Sequence, residues 1–217
     1  MRDALRQKAK AHIRYKTSDG KGVPGATTIT GLLNKPHLVT WANQLGLDGI
    51  DSTKYRDSAA TVGTLAHEMV QAHLQGGEID YEAYSPADVT LAMNALKSFY
   101  AWEGQHEIKV EFCERPLVSD TMRFGGTVDC YCIMDGIPTL LDFKTGKAIY
   151  NEYFIQLAAY RALLEEHGHP VERCRILRIG RDETEGFEER SVSDTTKYFD
   201  IFNDLLDIYY KKKALGW

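Results

Sequence analysis

The sequence lacks any long uncharged segment. Its longest stretch without Asp, Glu, Lys or Arg covers 13 of the 217 residues, from 22 to 34. A membrane-spanning helix needs about 20 mostly apolar residues, so the sequence excludes a membrane protein. The first residues also lack the apolar stretch of a secretory signal, and we therefore expect a cytoplasmic protein. With 43% hydrophobic and 26% charged residues, the composition is typical of one globular domain.

Cysteine is scarce, and its spacing carries no metal or redox signature. The four cysteines form no CxxC pair, and nothing in the sequence indicates an oxidising compartment. We therefore predict that they are reduced residues of the hydrophobic core; they are Cys113, Cys130, Cys132 and Cys174.

The chain has no overall excess of positive charge. Its 26 basic residues against 31 acidic ones give a net charge of −5, which at first disfavours a nucleic-acid partner. The basic residues are concentrated, however, in residues 1–16, 173–181 and 211–213. A phosphate backbone responds to local positive potential, so we expect modest nucleic-acid affinity that falls with salt.

Hydrophobic periodicity predicts a central sheet with helices on either side. Gly/Thr/Pro-rich residues 20–31 read as loop or extended chain, and helices follow near 38–47, 59–75 and 86–102. Three strands are predicted at 109–118, 123–134 and 137–144, then a helix at 151–167 and a strand at 171–179. An extended piece at 187–192 precedes a last helix at 194–215. This order predicts a mixed sheet flanked by helices.

Residues 123–146 form the most informative segment. Asp135-Gly136 between two strand-like runs predicts a two-residue type I′ hairpin, in which paired residue numbers sum to 271. This register places Asp129 opposite Asp142, with Lys144 on the same face. The other face is then the apolar core face, formed by Val128, Cys130, Cys132, Met134, Ile137, Thr139, Leu141 and Phe143.

Two opposed carboxylates on neighbouring strands repel each other unless a cation lies between them. Their Cβ atoms would be about 4.5–5.5 Å apart, and hard oxygen ligands suit Mg²⁺. The alternative is a solvated cluster of Asp129, Asp142 and Lys144 on an exposed sheet face. Glu111, on the preceding strand, could reach a second metal, although a solvated glutamate is the simpler interpretation; Glu68 is a weaker candidate.

Four short motifs carry a family resemblance. Gly126-Thr-Val-Asp129 with Asp142-Phe-Lys144 resembles the catalytic signature of the PD-(D/E)XK nucleases. Gln156-Leu-Ala-Ala-Tyr160 and Gly63-Thr-Leu-Ala-His67 resemble the QxxxY and GxxxH motifs of the RecB-type branch. More loosely, residues 26–33, Lys35-Pro36 and Trp41 are similar to the leader of phage and mitochondrial genome-maintenance exonucleases.

The resemblance implies a fold, a site and a cofactor. The fold would be α/β, a restriction-endonuclease-like core of order αβββαβ, in one nuclease domain. Residues 1–58 would be an N-terminal extension that contacts DNA, 59–192 the catalytic core and 193–217 a C-terminal helix. Mg²⁺ or Mn²⁺ would be bound by His67, Asp129 and Asp142, while Lys144 would position the attacking water. Gln156 and Tyr160 would touch substrate or orient the metal ligands, although Tyr160 could instead be a core residue. The cysteine positions depart from the iron–sulfur pattern of some relatives, so no such cluster is expected.

The implied function is hydrolysis of DNA phosphodiester bonds. The leader favours an exonuclease acting on DNA ends or single strands, encoded by a phage or bacterium, with recombination or replication proteins as candidate partners. One alternative is a structure-specific endonuclease or a nuclease subunit of a larger recombination or repair complex. A non-catalytic DNA-binding member of the fold and a hydrolase of small phosphoesters are further alternatives.

Overall fold

The computed structural model describes residues 13–217. Most of the basic segment 1–16, and with it part of the predicted DNA-contacting extension, lies outside the described residues. The division into extension, core and C-terminal helix therefore stays a prediction. Across residues 13–217, no helix combines the length and the apolar character needed to cross a membrane.

Residues 13–217 form six helices and five strands. The helices are α1 (Ala26–Thr30), α2 (Pro36–Leu47), α3 (Ser52–Gln75), α4 (Pro86–Glu103), α5 (Glu152–Glu166) and α6 (Thr196–Ala214). The strands are β1 (Ile108–Ser119), β2 (Phe124–Met134), β3 (Ile137–Lys144), β4 (Arg173–Ile179) and β5 (Phe187–Val192).

The five strands form one mixed sheet in the order β1-β2-β3-β4-β5. β1, β2 and β3 are antiparallel neighbours, β4 runs parallel to β3 after the α5 crossover, and β5 is antiparallel to β4. The predicted fold class, helices around a central mixed sheet, is confirmed. The αβββαβ order of a restriction-endonuclease-like core is present as α4, β1–β3, α5 and β4.

The β2–β3 hairpin has the predicted turn and register. Asp135 and Gly136 both have positive φ, 52° and 79°, as a type I′ turn requires. Pairing runs from Met134–Ile137 to Cys130–Leu141, so the residue numbers sum to 271 as predicted. The ladder stops there, one pair short of Asp129 and Asp142.

Both faces of the sheet are buried, which corrects the prediction of a single core face. Cys130, Cys132, Met134, Leu141 and Phe143 pack against α3 and α4, whereas Val128, Tyr131 and Leu140 pack against α5 and its neighbours. Val128 was predicted to share a face with Cys130, but the alternation breaks between them, at Asp129. On β1, Glu114 lies between the partners of these two residues and adopts a left-handed φ of 50°.

The helix boundaries follow local capping. Asp51 accepts hydrogen bonds from the backbone N–H groups of Thr53 and Lys54, which starts α3 at Ser52 rather than at residue 59. Gly76, with φ of 74°, ends the helix as predicted. The short helix α1 lies where the sequence indicated loop or extended chain.

Two further predictions concern cysteines and arginines. All four cysteines are free and buried, and Cys113, Cys130 and Cys132 belong to the core beneath α3 and α4, as expected. Two arginines of the basic run 173–181, by contrast, do not face solvent. Arg175 and Arg178 are buried and pair across to β5, with Glu189 at 2.7 Å and Glu188 at 3.5 Å. Their charges are therefore balanced by carboxylates of the neighbouring strand.

Candidate active site

The candidate site lies where the β2–β3 ladder ends, between α3 and α5. Asp129 immediately precedes Cys130, the first residue of β2 that pairs with β3, and its Oδ2 accepts a hydrogen bond from the backbone N–H of Phe143 at 2.9 Å. This bond replaces the next rung of the ladder. It fixes the Asp129 carboxylate beside β3, the strand that carries Asp142 and Lys144.

α3 brings His67 to Asp129. The His67 Nδ1 atom lies 3.7 Å from Asp129 Oδ2, and the imidazole edge contacts the Phe143 ring at 6.0 Å between centroids. Gly63, one helical turn earlier, permits this approach: a Cβ there would lie 2.9 Å from the Thr145 hydroxyl oxygen. The helix can therefore pack closely against the end of β3.

Glu114 joins His67 and Asp129 in a group of possible metal ligands, and the sequence did not predict its part in that group. His67, Glu114 and Asp129 each offer one ligand atom, and these atoms all lie within 4.8 Å of one another. Carboxylate oxygens and an imidazole nitrogen are suitable ligands for a divalent cation. The arrangement can therefore hold a metal ion.

The two glutamates considered from the sequence lie elsewhere. Glu111 is exposed and sits 3.5 Å from the Lys109 ammonium, while Glu68 accepts a hydrogen bond from the Tyr84 hydroxyl at 2.9 Å. The β1–β2 register shifts between Val110 and Phe112, at Glu111. Strict alternation along β1 therefore misidentifies which glutamate reaches the site. A signal was present, since Glu114 is the next acidic residue of β1.

Asp142 is fully buried on the central strand of the sheet. Its side chain has no solvent exposure, and within the described residues its Oδ1 atom has no hydrogen-bond partner. The Lys144 ammonium forms an ion pair with it. Burial raises the pKa of Asp142 to about 6, against the opposing effect of Lys144 and with a further rise from Asp129.

Asp142 lies beside the three-ligand group rather than within it. Burial alone would lower the pKa of Lys144, but the Asp142 and Asp129 carboxylates outweigh this and raise it, so the lysine remains charged. Its Nζ also lies 5.1 Å from the centre of the Tyr153 ring, a contact that the sequence did not predict. A buried carboxylate oxygen without a hydrogen-bond partner, close to the charges of Asp129 and His67, suits a bound divalent cation.

α5 places Gln156 and Tyr160 on the same side of the site. Gln156 Nε2 donates a hydrogen bond to the Tyr160 hydroxyl oxygen at 2.6 Å. Tyr160 is buried in the core with Leu157 and Leu164, so the core alternative describes its ring correctly. Burial, followed by the charges of Asp129 and Asp142, raises its pKa well above the usual value. The hydroxyl group therefore stays protonated near these carboxylates.

No protein-family model and no curated protein matches the chain. Among solved structures, an alkaline exonuclease, LHK-Exo from Laribacter hongkongensis, is similar at 15% identity and a TM-score of 0.36, over 73% of this chain and 91% of that one. A structure described as SSO0001 is similar at 15% identity and a TM-score of 0.33, over 70% and 74%.

Proposed function

We propose that this protein is a divalent-metal-dependent deoxyribonuclease that acts as an exonuclease on DNA ends or single strands. The observation that carries the proposal is the fully buried Asp142 carboxylate. It is paired with Lys144 and lies beside the group formed by His67, Glu114 and Asp129. Concentrated acidic ligands with one half-buried ammonium group suit metal-assisted attack on a phosphodiester.

The ligand roles follow from the donor set. His67, Glu114 and Asp129 would hold Mg²⁺ or Mn²⁺, with the Asp142 carboxylate facing the same ion. The ion would supply an acidified water nucleophile and offset negative charge on the phosphate. Imidazole suits Mn²⁺ better than Mg²⁺, so we expect Mn²⁺ to support the higher rate.

Two residues of the chain supply positive charge and a hydrogen bond. The Lys144 ammonium, oriented by Asp142, would stabilise the negative charge that develops as the water attacks. The Tyr160 hydroxyl accepts from Gln156 and keeps its own proton, so it can donate to a phosphate oxygen. This pair would position the substrate.

The test is a cleavage assay on end-labelled single-stranded and double-stranded DNA with Mg²⁺ or Mn²⁺. We expect cleavage that requires the metal, stops with EDTA and is lost in Lys144→Ala. Lys109→Ala is the matched control, because Lys109 is an exposed lysine on β1. Undiminished metal-dependent cleavage by the Lys144 variant would refute the assignment.

Circular single-stranded DNA separates the exonuclease from the endonuclease alternative. An exonuclease needs an end, so we expect the circle to resist cleavage while the linear form of the same sequence is degraded. Cleavage of the circle at a comparable rate would instead favour a structure-specific endonuclease. DNA binding without cleavage in either metal would favour a non-catalytic member of the fold.

A further inference from the structure

A second cleft opens next to the candidate active site. It lies between α2, the first part of α3 and the loop after β3, and encloses about 820 Å³. Aromatic rings and cations line most of it: His37, Trp41, Tyr55 and Tyr150, with Arg56, Lys147 and Arg181. The chemistry described so far uses none of these residues.

The aromatic side chains of this cleft are arranged as stacking surfaces. The His37 and Tyr150 rings are stacked, with centroids 5.3 Å apart and planes 11° apart. Across the cleft, Trp41 meets the Tyr55 ring edge to face at 5.9 Å. Trp41, Tyr55 and Tyr150 remain 36–40% exposed, so part of each side chain is accessible to a ligand.

The charged side chains that line the cleft are all basic. Among the lining residues of the described chain, three are cations and none is a carboxylate. Arg56 pairs with Asp57 and Lys147 pairs with Glu185, but the two basic side chains are 66% and 73% exposed. Ion pairs that are this exposed are weak, so these cations can meet a phosphate.

A row of aromatic rings joins the cleft to Lys144. The Lys144 ammonium lies 5.1 Å from the centre of the Tyr153 ring, and that ring meets Tyr150 edge to face at 5.6 Å. Tyr150 in turn stacks on His37. In the chain itself, Lys147 follows Lys144 by three residues. A polymer held in the cleft would therefore reach the candidate site.

Helix α2 forms one side of the cleft, although it contributes little to the hydrophobic core. Within the described part of the chain, none of its residues is buried. It is linked to the start of α5 by the ion pair between Lys35 and Glu152, at 3.5 Å, and by the ring stack of His37 and Tyr150. Its Trp41 side faces the cleft. The helix therefore lines the cleft and does not pack into the hydrophobic core.

We propose that this cleft binds the bases of single-stranded DNA by stacking and delivers the strand to the site at Lys144. The inference rests on the proposed nuclease function. Aromatic rings combined with cations are typical of surfaces that bind single strands without sequence preference. In a duplex the base faces are already stacked, so the cleft favours unpaired ends.

The test measures binding of a fluorescent oligothymidylate in EDTA, where metal-dependent cleavage does not occur. Trp41→Ala and Tyr150→Ala should each weaken binding about 5- to 150-fold, the range for loss of one aromatic stacking partner. Tyr81→Ala is the matched control, because Tyr81 is a comparably exposed tyrosine (44%) that does not line the cleft. It should bind as the unmodified protein does.

A second probe distinguishes stacking from charge alone. The unmodified protein should bind an abasic deoxyribose-phosphate oligomer of the same length more weakly than the oligothymidylate, and Trp41→Ala should remove that difference. Equal binding of the two oligomers, or unchanged binding by both cleft variants, would overturn the inference. A preference for oligouridylate over oligothymidylate would overturn the assignment to DNA.

The two proposals fail in different ways. If the unmodified protein cleaves DNA and the cleft variants bind as it does, the cleft inference is wrong and the nuclease assignment stands. If the oligothymidylate binds in the cleft but neither metal supports cleavage, the nuclease assignment is wrong. Melting temperatures of all variants are measured alongside, because Tyr150→Ala also removes the ring stack that links α2 to the start of α5. Trp41→Ala leaves that stack in place, so weakened binding by this variant reports on the cleft itself.

Discussion

The Tyr160 ring occupies the space that a side chain at position 126 would fill. A Cβ on Gly126 would lie 2.5 Å from Tyr160 Cε1, far inside the normal contact distance. The glycine therefore lets α5 approach β2 closely enough to bring Tyr160 to the carboxylates of Asp129 and Asp142. This gives Gly126, within the motif that contains Asp129, a physical role.

Gly126→Ala should lower activity by displacing Tyr160. We expect kcat to fall by about 10- to 100-fold, the effect of misplacing a positioning group by about 1 Å, and stability to fall by about 1–3 kcal/mol from overpacking. The measurements are DNA cleavage and denaturant unfolding. Gly46→Ala in α2 is the control, because no atom lies within 4 Å of its Cβ position. Full activity in the Gly126 variant would show that the Tyr160 position is unimportant.

Glu114→Gln should weaken metal binding. Glu114 supplies one of three clustered ligand atoms, and even substitutions in the shell around metal ligands cost about 10- to 100-fold in affinity. We expect at least a tenfold rise in the Mn²⁺ Kd, measured by calorimetry. A matching loss should appear in the thermal stabilisation that Mn²⁺ provides, which is about 2.7 kcal/mol when its concentration is 100 times Kd.

Glu111→Gln is the control for this experiment. Glu111 is on the same strand but is exposed and lies beside Lys109, so its substitution should leave the Mn²⁺ Kd unchanged. The opposite result, a loss with Glu111→Gln and none with Glu114→Gln, would mean that the register of β1 is wrong.

Asp142 and Lys144 should depend on each other for stability. Removing one partner of a buried ion pair leaves the other charge uncompensated and typically costs about 3–5 kcal/mol. Lys144→Met should therefore destabilise the protein, and Asp142→Asn combined with Lys144→Met should recover most of the loss while remaining inactive. Urea unfolding of the two single variants and the double variant measures the coupling. Simple addition of the two losses would show that the pair is not coupled.

The hairpin and the order of the elements could be predicted because their signals are local. Asp135-Gly136 favours a single turn type, and that turn fixes the register as far as Cys130 and Leu141. The spacing of Gln156 and Tyr160 likewise places them on one helix face without knowledge of the rest of the fold. The sequence therefore predicted which strands and which helix meet at the site.

Tertiary effects account for the features that were missed. The shift at Glu111 and the left-handed Glu114 change which side chain of β1 reaches His67, and alternation alone cannot reveal them. Arg175 and Arg178 looked like a basic surface because their partners, on β5, are distant in sequence. The cleft beside α2 depends on the packing of three separate segments, so no single motif indicates it.

Lys147→Gln should reduce the salt dependence of single-stranded DNA binding. If the Lys147 ammonium neutralises one phosphate in the cleft, its loss lowers the slope of log K against log salt by about 0.7. Lys109→Gln is a close control, because both lysines lie 3.5 Å from a carboxylate and are 73% and 79% exposed, but Lys109 does not line the cleft. Fluorescence anisotropy in EDTA at several salt concentrations gives both slopes. Equal slopes for the two variants would mean that the strand does not pass Lys147.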